Sequence, residues 1–198
     1  MSIAYHLRKI YQRIDNAVNR YNRIAHPVTL LAVSKTHATS KIEEAFAAGQ
    51  RDFGENYIDE AISKIITLSA YDICWHYIGP IQSNKTVKIA EYFDWVQSVD
   101  RLKIARRLSD QRPKNLKPLN ICIQVNISAE SSKSGVNPNQ LSKLMAEVHS
   151  LPGIKLRGLM CIPAQTDEVE QQRQAFREMR DLYQQQKSQY PELDTLSM

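Results

Sequence analysis

Residues 28–34 read VTLLAVS, a short apolar run rich in β-branched side chains, and Lys35 follows directly. An apolar run of that length, bounded by polar residues, is the pattern of a buried strand. Ser40 to Ala48 then reads as a helix, with Ser40 as its N-cap and Gly49 as its stop. The same alternation recurs down the chain. Strands are expected at Arg51 to Gly54, Cys74 to Ile78, Trp95 to Val99, Leu119 to Ile127 (LNICIQVNI), Lys155 to Cys161 and Leu193 to Met198. Helices are expected between them at Tyr57 to Leu68, Ser83 to Glu91, Arg101 to Ser109, Asn139 to His149 and Glu168 to Ser188.

Seven strands alternating with helices predict a parallel sheet covered by helices. Seven units also approach the eight of a closed (β/α)8 TIM-type barrel. An open doubly wound sheet is the competitor, but no GxGxxG follows the first strand. Ahead of the alternation, residues 3–25 carry apolar or aromatic side chains at Ile3, Leu7, Ile10, Tyr11, Ile14, Val18, Tyr21 and Ile24. Those spacings mark an extra N-terminal amphipathic helix, which Pro27 is expected to end. No linker or repeat divides the chain, so residues 1–198 are expected to form one domain.

Composition narrows the function classes. The chain is 42% hydrophobic and 24% charged, with 6 glycines and 8 prolines, as in ordinary folded proteins. No apolar run approaches the ~20 residues that span a bilayer, and the N-terminus lacks the apolar core of a secretory signal. The three cysteines, Cys74, Cys122 and Cys161, form no CxxC pair, which disfavours a disulfide framework or zinc knuckle and fits a cytoplasmic location. Net charge is +5, densest from Arg101 through Arg106, Arg107 and Arg112 to Lys117. That stretch reads as a solvated helix face and loop, with a nucleic-acid surface as the sharper alternative. No RNP, KH or zinc-finger pattern supports the latter, so no nucleic-acid partner is expected.

Polar residues gather where the expected strands end: Ser34-Lys35-Thr36, Gly54-Glu55-Asn56, Gly79-Pro80 with Gln82-Ser83-Asn84-Lys85, Gln97-Ser98-Val99-Asp100, Asn126 with Ser128, and Ser197. In (β/α) barrels those ends carry the active site. Lys35 is the central candidate. An ordinary lysine amine is protonated at neutral pH, but burial or a neighbouring cation exposes a free amine for Schiff-base chemistry. From the residues alone, a solvated edge charge is the plainer reading of Lys35.

The segments LLAVSKTHATSKIEEAFAAGQRDFGENYIDEAISKI, WHYIGPIQSNK, VQSVDRLKIARRL, IQVNISAESSKSG and LRGLMCIPAQ, in that order, resemble the YggS/PROSC family of pyridoxal phosphate homeostasis proteins. The resemblance runs from about residue 28 to 198 and implies a barrel similar to the N-terminal domain of alanine racemase. It implies pyridoxal 5′-phosphate as cofactor, held as a Schiff base on Lys35. Ser197, in LSM, is implied to contact the cofactor phosphate. Asn56, His76 and Asn126 fall in matching segments and are expected to line the pocket. Two of these keep a structural alternative: His76 as a satisfied core histidine beside Trp75, and Asn56 as a cap for the next helix. Lys133 reads as a loop lysine or a second cofactor contact. Lys85 is either a helix-start residue or a phosphate-attracting charge, and Met160 and Cys161 read as packing residues.

The family pattern continues beyond LSM with a glycine-containing turn, a helix and a segment similar to VRIGTAIFG, whereas this sequence stops at Met198. The expectation is therefore a barrel truncated after about strand seven, without the family's phosphate cup and the arginine at the pyridine nitrogen, and with weaker cofactor affinity. The resemblance further implies a carrier that buffers the cofactor, is not an enzyme, and passes its cargo to PLP-dependent apo-enzymes. It would be a monomer if the barrel is complete. A PLP-dependent amino-acid racemase or lyase, and a basic RNA-binding module, are the alternatives.

Overall fold

The structure, a computed structural model, describes residues 2–23, 28–128 and 134–198. It divides into two compact units, residues 1–75 and 76–198.

The first unit runs α1 (Ile3–Arg20), β1 (Ala32–Val33), α2 (Thr39–Ala47), β2 (Asp52–Glu55) and α3 (Ile58–Thr67), and ends in the first half of β3 (Cys74–Tyr77). Ser2 caps α1, its hydroxyl accepting the Tyr5 N–H. The helix stops short of the expected residue 25: Asn22 takes a left-handed φ of 50° just past its end, and Ile24 and Pro27 lie outside the described residues. α2 begins one residue before Ser40, which lies inside its first turn, and Ala38 is the N-cap. Its end follows the sequence closely. Gly49 sits at φ 99°, its N–H bonded to the Phe46 carbonyl while the Gln50 N–H reaches the Ala45 carbonyl. That pair of bonds is the Schellman closure, which needs a residue tolerant of positive φ.

β1 is much shorter than the apolar run suggested. Ala32 faces Phe53 and Val33 faces Gly54 in parallel register, and the ladder extends no further back. The reason is a side chain. Gln50, 1% exposed, donates through Nε2 to the carbonyls of Leu30 and Asp52. It thereby satisfies a backbone acceptor that a longer ladder would have paired. β3 joins β2 through the Cys74 N–H, which donates to Arg51 O.

The second unit continues from β3 through a short 3-10 turn (Ser83–Lys85), α4 (Thr86–Tyr92), β4 (Trp95–Val99), α5 (Leu102–Gln111), β5 (Leu119–Gln124), α6 (Pro138–His149), β6 (Ile154–Met160), α7 (Val169–Gln189) and β7 (Thr195–Ser197). Within it the strands lie in chain order β3-β4-β5-β6-β7, all parallel. Val96, Val99, Ile121, Ile123 and Leu159 on the sheet and Ile104, Leu108, Leu141, Met145, Val148 and Met179 on the helices are buried completely. Each such large side chain contributes ~1.5–3 kcal/mol relative to exposure. β7 comes unusually close to β6 at Gly158, which faces Thr195; a Cβ there would stand 1.7 Å from the Thr195 carbonyl oxygen.

The arginines of the basic stretch are partly engaged in holding helices. Arg107 donates to Ser83 O and Thr86 Oγ1. Arg112 donates to the carbonyls of Ala90, Phe93 and Lys117, satisfying acceptors at the end of α4. Among the described residues, no helix is long and apolar enough to cross a membrane.

Candidate functional site

In the first unit, Lys35 lies just past β1, in the turn Ser34-Lys35-Thr36-His37, which the His37 N–H closes onto Ser34 O at 3.1 Å. Its side chain is exposed. The next residue, Thr36, holds φ at 63°, a left-handed conformation that a β-branched residue rarely adopts. Because Val33 faces Gly54, Lys35 and Asn56 each stand two residues beyond that rung, at adjacent strand ends.

A buried polar network underlies this turn. Glu55 is fully buried, and its Oε1 accepts from the Ser34 hydroxyl at 2.6 Å and from Lys64 Nζ at 2.7 Å. Lys64, 5% exposed on α3, also donates to Ser34 O at 2.8 Å and to Glu60 Oε1 at 2.5 Å. A lysine ammonium has three donors, and all three are used. Glu60 Oε1 in turn accepts the Thr36 N–H at 2.8 Å. The hydrogen bond from Lys64, more than any other influence, holds the Glu60 carboxyl below the usual carboxylate range, with the Thr36 N–H and the positive charges of Lys64 and His37 adding to it against partial burial.

Asn56 does not cap α3. The cap residue is Tyr57, without a side-chain cap bond, and Asn56 Oδ1 is buried with no hydrogen-bond donor among the described residues. Glu55 Oε2 is buried in the same condition.

The second unit assembles His76, Gln97 and Ser197. His76 is buried and stacks on Trp95, ring centroids 5.3 Å apart and planes 14° from parallel. Its Nδ1 lies 3.0 Å from Gln97 Nε2, and Gln97 Oε1 accepts the Ser197 hydroxyl at 2.6 Å. As so oriented, the Gln97 amide nitrogen faces His76 Nδ1. Trp95 is thus one aromatic neighbour of His76, and the side chain that holds Ser197 is one of its polar neighbours.

Asn126 follows the bridge between Val125 and Val136, and its N–H donates to Val136 O at 3.0 Å. Gly135 makes that approach possible: at φ 130° it brings the two segments so close that a Cβ would stand 2.5 Å from the Asn126 nitrogen. Ser128 accepts the Ala164 N–H through Oγ at 3.0 Å. A cavity of about 500 Å³ adjoins Ile127, Ser128, Thr166, Gln171 and Arg177, and none of the five candidate residues lines it. Met160 and Cys161 are buried, and burial pushes the Cys161 thiol up to about 11, the behaviour of a packing residue. Lys133 lies outside the described residues.

The structure thus brings Lys35 and Asn56 together in one unit, and His76 and Ser197 together, through Gln97, in the other. The sequence reading placed Glu55 and Gln97 among the polar strand ends without giving either a role, and it did not single out Glu60 or Lys64. A signal for Lys64 exists: Ala61, Lys64 and Leu68 share one helical stripe, and a lysine on an apolar stripe needs a partner. Gln97 and Ser197 are 100 residues apart, and nothing local announces their bond.

Comparison with known proteins supplies what geometry alone does not. The family model of the alanine racemase N-terminal domain matches residues 10–198. A protein of Haemophilus influenzae named pyridoxal phosphate homeostasis protein is 50% identical over 202 residues, covering 100% of this chain and 85% of the relative. The structure of PipY from Synechococcus elongatus with PLP bound superposes with a TM-score of 0.79 at 34% identity, covering 93% of this chain and 88% of PipY. An alanine racemase of Clostridium difficile superposes with a TM-score of 0.68 over 85% of this chain and 45% of the racemase, at 14% identity, a likeness of fold.

Proposed function

This chain belongs to the family of alanine racemase N-terminal domains, with the α/β barrel-type fold of that family, and on that premise we propose that it binds pyridoxal 5′-phosphate on Lys35 and serves its homeostasis in the cell. The observation that carries this reading is PipY, a 34% identical relative whose structure holds PLP. The whole chain, residues 1–198, is read as the cofactor-binding domain.

The residues present suit such a group. Lys35 offers a primary amine at a strand end, the group that condenses with an aldehyde to give a Schiff base. Ser197 offers a hydroxyl that can donate to a phosphate oxygen. Asn56 offers a buried acceptor that receives no bond from the described residues. His76 and Asn126 complete the proposed set, His76 through the amide that also holds Ser197. When bound, the cofactor supplies an electron-withdrawing ring and a reactive aldehyde; that chemistry is its own.

The reading is that of a carrier without turnover. It keeps a reactive aldehyde bound in the cytoplasm and releases it to PLP-dependent apo-enzymes. The likeness to alanine racemases lies at 14–18% identity and speaks for the fold, so it lends the racemase alternative no support. The RNA-binding alternative is weakened by Arg107 and Arg112, whose guanidinium groups are bonded to backbone and side-chain oxygens of the protein itself.

Absorbance tests the proposal. Adding pyridoxal 5′-phosphate to the protein should produce a band at about 420 nm, the protonated Schiff base, and Lys35→Ala should not produce it. A band of equal strength in the variant would refute the assignment of Lys35.

A further inference from the structure

The turn that carries Lys35 contains a conformation its sequence does not favour. Thr36 sits at φ 63°, where glycine is at ease and a β-branched residue is not. Such a conformation persists only where the surroundings over-determine it.

The surroundings here are specific. The residue before Lys35 is held twice: the Ser34 hydroxyl donates to Glu55 Oε1 at 2.6 Å, and the Ser34 carbonyl accepts from Lys64 Nζ at 2.8 Å. The residue after Lys35 is held by the Thr36 N–H, which donates to Glu60 Oε1 at 2.8 Å. The two grips are joined, because Lys64 Nζ bonds both carboxylates, Glu55 at 2.7 Å and Glu60 at 2.5 Å. An ion pair with side-chain exposures of 6% and 0% is no obvious source of stability, since desolvation offsets the attraction. An apolar pair of similar size would serve folding as well. What an apolar pair lacks is the set of directed bonds to both sides of Lys35.

We propose that Glu55, Lys64 and Glu60 form a positioning device for Lys35, clasping the carbonyl before it and the amide after it so that its amine is presented at a fixed place. This inference rests on the reading of Lys35 as the cofactor lysine. The clasp reduces the conformational freedom that the turn would otherwise give up when the imine forms, and it maintains the left-handed Thr36 that sets the direction of the chain at that point.

Glu60 is the place to test the clasp, because its side chain is 35% exposed and its loss leaves the buried Lys64–Glu55 pair intact. The probe is pyridoxal 5′-phosphate, titrated by the Lys35-dependent band at about 420 nm. Absence of that band in the unaltered protein would defeat the cofactor reading itself, and with it this inference. With the band present, Glu60→Ala should weaken binding roughly fivefold, the net worth of one ordinary hydrogen bond. Glu60→Gln, whose Oε1 can still accept both bonds, should restore most of the loss. Hydrogen exchange at the Thr36 amide in the cofactor-free protein should quicken in the alanine variant and much less in the glutamine variant. Thr36→Gly, which relieves the strained φ, should leave the melting temperature equal or higher yet also weaken binding several-fold. Alanine and glutamine variants with the same affinity, or a Thr36→Gly protein that binds as tightly as the unaltered chain, would overturn the proposal.

Discussion

The Ser197 hydroxyl donates to Gln97 Oε1 at 2.6 Å although β5 and β6 lie between their strands. Neighbouring strands stand ~4.8 Å apart, so three spacings laid flat would exceed the reach of the two side chains. The sheet of this unit therefore curls, with Gln97, His76 and Ser197 on its concave face. The bond has a chemical consequence as well. A hydroxyl has one proton, and that of Ser197 is directed at Gln97. For Ser197 to donate to a phosphate, as proposed, that proton would have to turn from Gln97, or the Gln97 amide would have to turn and donate to Ser197 instead.

Ser197→Ala should therefore weaken pyridoxal 5′-phosphate binding by a modest factor, roughly five- to tenfold, and leave pyridoxal, which has no phosphate, almost unaffected. Parallel titrations with the two ligands check this. Equal losses for both would remove Ser197 from phosphate recognition.

Gly158 decides whether β7 can lie where it does. Its Cβ position is 1.7 Å from the Thr195 carbonyl oxygen, so Gly158→Ala must push β7 outward or distort β6. The expected cost is ~1–3 kcal/mol in a denaturant titration. The Cys161 amide, which donates to Ser197 O at 3.0 Å, should lose protection in hydrogen exchange. An unchanged exchange rate there would show that the strand pair adapts without loss.

Glu60 gives a signed prediction for acid. Its folded carboxyl titrates below the ordinary value of 4.5, chiefly through the Lys64 hydrogen bond. Its contribution to stability is thus complete above that value and disappears as pH falls through the lower folded value. Glu60→Gln has no such group. The stability difference between the two proteins should be largest near neutrality and shrink in acid, as urea midpoints from about pH 6 to about pH 3 would record. A difference that grows in acid would reverse the sign and contradict the assignment.

Burial pushes the Cys122 thiol up to about 12 and the Cys161 thiol up to about 11, while Cys74 is half-exposed. A thiol reagent at about pH 8 should label Cys74 first in the folded protein and reach the other two only on unfolding. Peptide mass spectrometry after a timed reaction distinguishes the three. Early labelling of Cys161 would show that the end of β6 opens more readily than its packing implies.

The alternation of strand and helix was legible in the sequence because each element is announced locally. Gly49 stops α2 at φ 99°, Asn137 and Pro138 start α6, and the apolar run Leu119–Gln124 makes β5. The length of β1 was not legible, since it depends on the Gln50 side chain occupying the Leu30 carbonyl. Within the site, Lys35 and Ser197 could be placed at strand ends by pattern alone. Their supports could not. The apolar stripe that Lys64 shares with Ala61 and Leu68 says that it needs a partner but not that the partners are Glu55 and Ser34, and Thr36 gives no sign of its left-handed backbone. Those features are tertiary, arising where separate stretches of chain meet.

The imine proposed at Lys35 is a covalent bond to one amine, and peptide mapping reads out which amine carries it. The protein is loaded with pyridoxal 5′-phosphate, reduced with borohydride, digested and analysed by mass spectrometry. The phosphopyridoxyl adduct is expected, at one equivalent, on the peptide containing Lys35. An adduct spread over surface lysines, or fixed on another lysine with Lys35 unmodified, would contradict it.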